Sequence, residues 1–216
     1  MHSFNLDKVN LSKPGQQFNL KKDERSDGFG DIIVNLNWNR GTQPVKAGFF
    51  KRLLSGVELV PAPPIDLDLG CLFELKDGTR SGVQALGENF GSFDSPPYIH
   101  LLGDDRSGDH TNGETIRING RVWASKIKRV LVHAHIYDGV ANWAQTDAVV
   151  TITTANQPPV EVRLTDGRND RSICAIALLE NKGGDFNITR EVKYFTDHRD
   201  MDKGFAWNLN WREGSK

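Results

Sequence analysis

Ile65-Asp66-Leu67-Asp68-Leu69-Gly70-Cys71-Leu72-Phe73 alternates in polarity with a period of two. A strand sends successive side chains to opposite faces. Leu67, Leu69, Cys71 and Phe73 are therefore expected to enter a core, while Asp66 and Asp68 project side by side from the other face. The same period recurs in both directions along the chain. Residues 29–38 place Ile32, Val34, Leu36 and Trp38 together, and residues 129–138 do the same for Val130, Val132, Ala134 and Ile136. Runs at 149–154 and 160–164 flank Asn156-Gln157-Pro158-Pro159, which predicts a hairpin. Phe186, Ile188, Val192 and Tyr194 mark a late strand, and Phe205, Trp207, Leu209 and Trp211 are expected to form a final one. Roughly eight to ten such runs predict an all-β protein, a sandwich or a barrel. Only 47–54 and 124–128 suggest helix, both short, and 41–64, with four prolines, reads as a long irregular crossover.

The 216 residues, 38% of them hydrophobic, suffice for one large β domain spanning 1–216. Twenty-seven basic against 28 acidic residues leave a formal charge of -1, so no global field gathers nucleic acid or anionic lipid. The opening Met1-His2-Ser3-Phe4-Asn5-Leu6-Asp7 lacks the pattern of a signal peptide, and no apolar run approaches the roughly 18 residues of a membrane span. A cytoplasmic location without membrane insertion is the expectation. Cys71 and Cys174 sit in apolar surroundings and read as free core thiols.

Acidic residues concentrate in two places. Asp66 and Asp68 are one; the glycine-punctuated segment Gly103-Asp104-Asp105-Arg106-Ser107-Gly108-Asp109-His110-Thr111-Asn112-Gly113-Glu114 is the other. Neighbouring carboxylates repel one another, and a cation or a cluster of donors relieves that repulsion. Oxygen ligands without a Cys-x-x-Cys pair point to calcium or magnesium, and a flexible glycine-rich loop suits calcium's six to eight oxygens better than magnesium's strict octahedron. The EF-hand template does not fit: counted from Asp105, His110 stands where glycine is needed and Ile116 where the bidentate glutamate belongs. On spacing alone, a solvated acidic loop is an equal alternative to a metal site.

Several stretches resemble, in order, the TerD-like domain proteins of tellurium-resistance and stress-response operons. Val9-Asn10-Leu11-Ser12-Lys13-Pro14-Gly15-Gln16 is similar to the family's strand entry, Asn35-Leu36-Asn37-Trp38 to its Gly-Leu-Gly-Trp strand, and Ile65-Asp66-Leu67-Asp68 to its Phe-Asp-Leu-Asp motif. Gly103-Asp104-Asp105-Arg106-Ser107-Gly108 resembles its Gly-Asp-Asn-x-Thr-Gly loop, and Ile136-Tyr137-Asp138 its Ile-Tyr-Asp strand end. Residues 70–78 and 91–98 are most similar to the TerA branch. The resemblance implies a two-sheet β-sandwich with short helical segments and long acidic calcium-binding loops. It implies calcium as the bound ion, with Asp66, Asp68, Asp104, Asp109 and Glu114 as ligands and Asp105 as a weaker one. It also implies a non-catalytic binding or scaffold role beside other proteins of the same operon, including a membrane-bound partner. His110-Thr111-Asn112-Gly113 is shorter and less acidic than the family's usual run, so one calcium site is expected and a second is in doubt.

Other residues carry weaker signals. His133 and His135 share one face of a strand and are transition-metal ligands in principle, but no third ligand stands nearby in sequence. The five tryptophans are expected to be core rather than a carbohydrate platform, and Asp197-His198-Arg199-Asp200-Met201-Asp202 is read as a solvated hairpin turn. No nucleophile elbow, Walker loop or dinucleotide fingerprint appears. Two alternatives stay open: a metal-dependent hydrolase or glycosyl-transferring enzyme built on Asp66 and Asp68, and a calcium-rigidified sugar- or peptide-binding module.

Overall fold

The computed structural model describes residues 7–21, 28–38, 65–103, 113–138, 142–164 and 168–212. Its strands are β1 (Val9–Leu11), β2 (Gln17–Leu20), β3 (Asp31–Asn37), β4 (Asp66–Leu75), β5 (Arg80–Val83), β6 (Gly91–Ser92), β7 (Ile99–Leu101), β8 (Glu114–Asn119), β9 (Ile127–Asp138), β10 (Val149–Thr153), β11 (Val160–Arg163), β12 (Ile173–Lys182) and β13 (Asp185–Phe195). The helices are α1 (Trp123–Lys126), α2 (Trp143–Thr146) and α3 (His198–Phe205). Helix α1 overlaps the stretch 124–128 expected to be helical, starting one residue earlier and giving way to β9 at Ile127, whereas 47–54 is outside the described residues.

Two sheets form the sandwich. One has the order β1-β11-β10-β3-β8-β7-β6, the other β2-β13-β12-β9-β4-β5. The β10–β11 pair is the expected hairpin, and β1 joins its far side in parallel. Alternation predicted the inner faces correctly. Ile32, Val34, Leu36, Ile116, Ile118, Val150 and Ile152 of one sheet meet Leu67, Leu69, Cys71, Phe73, Val130, Val132 and Ala134 of the other in one cluster of buried side chains. Each fully buried aliphatic contributes about 1.5–3 kcal/mol. Cys71 and Cys174 are buried free thiols, and burial pushes the Cys71 thiol up to about 12. Trp123, Trp143 and Trp207 are fully buried, as core tryptophans should be.

The outer face of the second sheet is also covered. Leu72, Leu131, Ile173 and Ala175 pack there against Met201 and Trp207. Residues 197–202, expected to be a hairpin turn, are instead the start of α3: Asp197 accepts from the Asp200 backbone N–H at 2.8 Å as N-cap, and Asp202 is buried. The final strand expected over 205–211 is absent as well. Phe205 ends α3, and Ala206 and Asn208 adopt positive φ, which breaks a strand. Asp202 organises the irregular segment that follows. Its carboxylate accepts from the backbone N–H of Asn208 (2.7 Å) and Leu209 (2.8 Å) and from Nε1 of Trp211 (2.7 Å). Alternating apolar residues suit this segment too, because an extended chain laid on a sheet buries every second side chain as a strand does.

Candidate functional site: an acidic end beside a histidine cavity

Strand β4 pairs antiparallel with β9, and the register builds the site. Asp66 stands opposite Asp138, Asp68 opposite His135, Gly70 opposite His133, Leu72 opposite Leu131 and Glu74 opposite Arg129. From Asp68 to Glu74 these residues alternate with the core-facing Leu69, Cys71 and Phe73, so they occupy the outer face beneath α3 and the C-terminal segment.

At the acidic end, Asp66 is half-buried and Asp138 exposed. Glu114 arrives from the other sheet. It pairs with Leu36 on β3, and its Oε2 accepts from the backbone N–H of Leu69 at 2.6 Å, next to Asp68 in the chain. Nε1 of Trp38 donates to the Ile65 carbonyl at 3.2 Å, a second tie between the sheets at this end. Gly113, at φ +62, lets the chain enter β8, since a Cβ there would lie 2.0 Å from the Leu36 carbonyl oxygen. The structure thus brings Asp66, Asp68 and Glu114 to one end of β4 and adds Asp138, which was not among the expected ligands. Asp104, Asp105 and Asp109 lie outside the described residues. Among the described residues, no group of three or more His, Cys, Asp or Glu side chains is placed to hold a metal ion. The donors that are described are all carboxylate oxygens, a set suited to calcium.

Asp68 also looks elsewhere. Only 4% exposed, it helps line a small, partly open pocket with Gly70, Gln84, His133, His135 and His198. The His198 ring, at the start of α3, lies 5.4 Å from that of His133, 5.1 Å from that of His135 and 5.2 Å from that of Trp211, centre to centre. His133 is 1% exposed, and neither of its ring nitrogens has a hydrogen-bond partner. Burial, then the nearby His198 and His135, hold its pKa well below the ordinary value, so the ring is neutral at pH 7. Burial also lowers His198, with Asp197 opposing the effect. The sequence offered no third partner for His133 and His135 because that partner lies on a helix far along the chain.

Farther along the same face, Glu74 is 2% exposed and accepts from Lys128 Nζ (2.7 Å), Arg129 Nε (2.6 Å) and Arg80 (3.0 Å). Burial alone would raise its carboxyl, but these three cations outweigh burial and lower it from 4.5 to about 2. The Arg129 guanidinium lies 3.8 Å over the Trp207 ring, Arg80 donates to the Trp207 carbonyl at 3.2 Å, and Trp207 Nε1 donates to the Phe73 carbonyl at 3.1 Å. Glu74 thereby fastens the C-terminal segment, whose Trp211 ring packs beside His198.

This two-sheet architecture recurs in solved structures. A protein of unknown function, SAV2460, superposes with a TM-score of 0.51 at 14% identity, over 79% of this chain and 92% of its own. A homologue of the telluride resistance protein TerD, SCO6318 from Streptomyces coelicolor A3(2), superposes with a TM-score of 0.50 at 18% identity, over 81% of this chain and 95% of its own. The fold is therefore that of a TerD-like β-sandwich. Tellurium resistance protein TerA from Alcaligenes sp is 45% identical over 211 residues, 98% of this chain. The chain belongs to the TerD-like family of tellurium-resistance proteins, in its TerA branch. It spans 59% of the length of that relative. No family model matches the chain. No helix among the described residues is long and apolar enough to cross a membrane.

Proposed function

We propose that this chain is a calcium-binding, non-catalytic scaffold component of a tellurium-resistance and stress-response system. It would act in the cytoplasm with other proteins of the same operon, one of them membrane-bound. The observation that supports this most is the direct cross-strand opposition of Asp66 and Asp138, with Asp68 and Glu114 beside them. Like charges directly opposed on a sheet are unfavourable, and a divalent cation turns that repulsion into binding. In this reading Asp104, Asp105 and Asp109 complete the oxygen shell from the segment that joins β7 to β8.

Calorimetric calcium titration and thermal unfolding with and without chelator test it. Calcium at one hundred times its dissociation constant should add about 2.7 kcal/mol. A melting temperature indifferent to both calcium and chelator would refute the site. Asp68→Asn should weaken calcium binding yet leave the calcium-free protein folded, because it keeps the side chain's shape. Leu69→Ala, at a position 0% exposed, should cost about 2–5 kcal/mol with or without the ion. A pull-down with and without chelator tests the partner, and turnover in a substrate screen would overturn the non-catalytic role.

A further inference from the structure

We propose a second metal site, which shares Asp68 with the calcium reading but draws its other donors from nitrogen: His133, His135 and His198, with Asp68, form a nitrogen-rich pocket for a zinc-like divalent transition ion. Two imidazoles bound to one tetrahedral ion, each with its nitrogen about 2.05 Å from the metal and its ring centre about 1.15 Å farther, have ring centres roughly 5.2 Å apart. His198 stands 5.4 Å from His133 and 5.1 Å from His135, so the two pairs that include His198 have about that spacing.

Three features mark the place as built for more than packing. His133 is almost wholly buried, yet both its nitrogens lack a hydrogen-bond partner, an arrangement that an apolar core would not retain. Gly70 makes room for that ring, since a Cβ at position 70 would lie 2.5 Å from Cε1 of His133 and 2.9 Å from Nε2. The pocket has room, about 10 Å³, for the centre of one water-sized particle, and the carboxylate-bearing Asp68 lines it. Gln84, Leu86 and His198 line an open groove as well, so an ion has a route from solvent. In the arrangement described the donors do not yet converge, so capture requires the imidazoles to turn about their side-chain bonds. Three nitrogens and one carboxylate oxygen select zinc, cobalt or nickel over calcium and magnesium.

The test uses chelator-stripped protein with Co2+ as a spectroscopic probe and Zn2+ as competitor. One equivalent of Co2+ should give the intense visible absorption of a tetrahedral site, and one equivalent of Zn2+ should abolish it. His198→Gln removes one nitrogen donor from a half-buried position and leaves Asp68 in place. It should weaken zinc by more than the roughly 10–100-fold that follows loss of a supporting partner, with calcium affinity unchanged. Gly70→Ala, which displaces His133 without deleting a donor, should weaken zinc in the same direction. An octahedral cobalt spectrum, no binding by the unaltered protein, or equal zinc affinity in His198→Gln would each overturn the site. Because His198 is not among the proposed calcium ligands, failure here is distinguishable from failure of the calcium reading.

Discussion

Glu74→Gln should loosen the C-terminal segment by an amount that depends on pH. The Glu74 carboxyl lies at about 2 in the folded protein against 4.5 ordinarily. A depressed carboxyl contributes stability that is fully present above its unfolded pKa and lost as pH falls through the folded one. At about 1.36 kcal/mol per pH unit, that difference amounts to about 3 kcal/mol at pH 7. The partners set where in that range the loss falls. Lys128 is 56% exposed and contributes little, whereas Arg129, 22% exposed and stacked on Trp207, contributes most. A loss of about 2–3 kcal/mol at pH 7 is therefore expected. Urea unfolding of both proteins, followed by tryptophan fluorescence at pH 7, 4 and 2, measures it. The difference should be complete at pH 7, shrink below about pH 4.5 and nearly vanish at pH 2. A difference below about 1 kcal/mol at pH 7, or one undiminished at pH 2, would refute the electrostatic account.

Asp202→Ala strands the three donors of Asn208, Leu209 and Trp211 and should cost about 2–4 kcal/mol, with protease cleavage appearing within 206–212 before the sandwich unfolds. Gly113→Ala combines positive φ with a Cβ 2.0 Å from the Leu36 carbonyl oxygen; it should cost about 1–3 kcal/mol or more and speed amide exchange where β3 meets β8. Unchanged exchange at Val34 and Ile116 would refute the second of these.

The sequence by itself determined which side chains of each strand meet the core. Period-two alternation in 65–73 and 129–138 is a local property of the backbone, and Leu67, Leu69, Val130 and Val132 are buried as it requires. It also marked the two acidic stretches and the family. Tertiary structure alone decided what faces what. The opposition of Asp66 to Asp138 depends on the β4–β9 register, which two irregularities shift, and short-range pattern carries no information about register between distant strands. His198 meets His133 and His135 only because α3 folds back over the outer face of the sheet, and the start of α3 was hidden because its run of acidic and basic residues, 197–202, reads as a solvated hairpin turn. Gly70 shows the same limit. Within its strand it reads as a weak position, and only the imidazole of His133 packed against it shows why a side chain is absent.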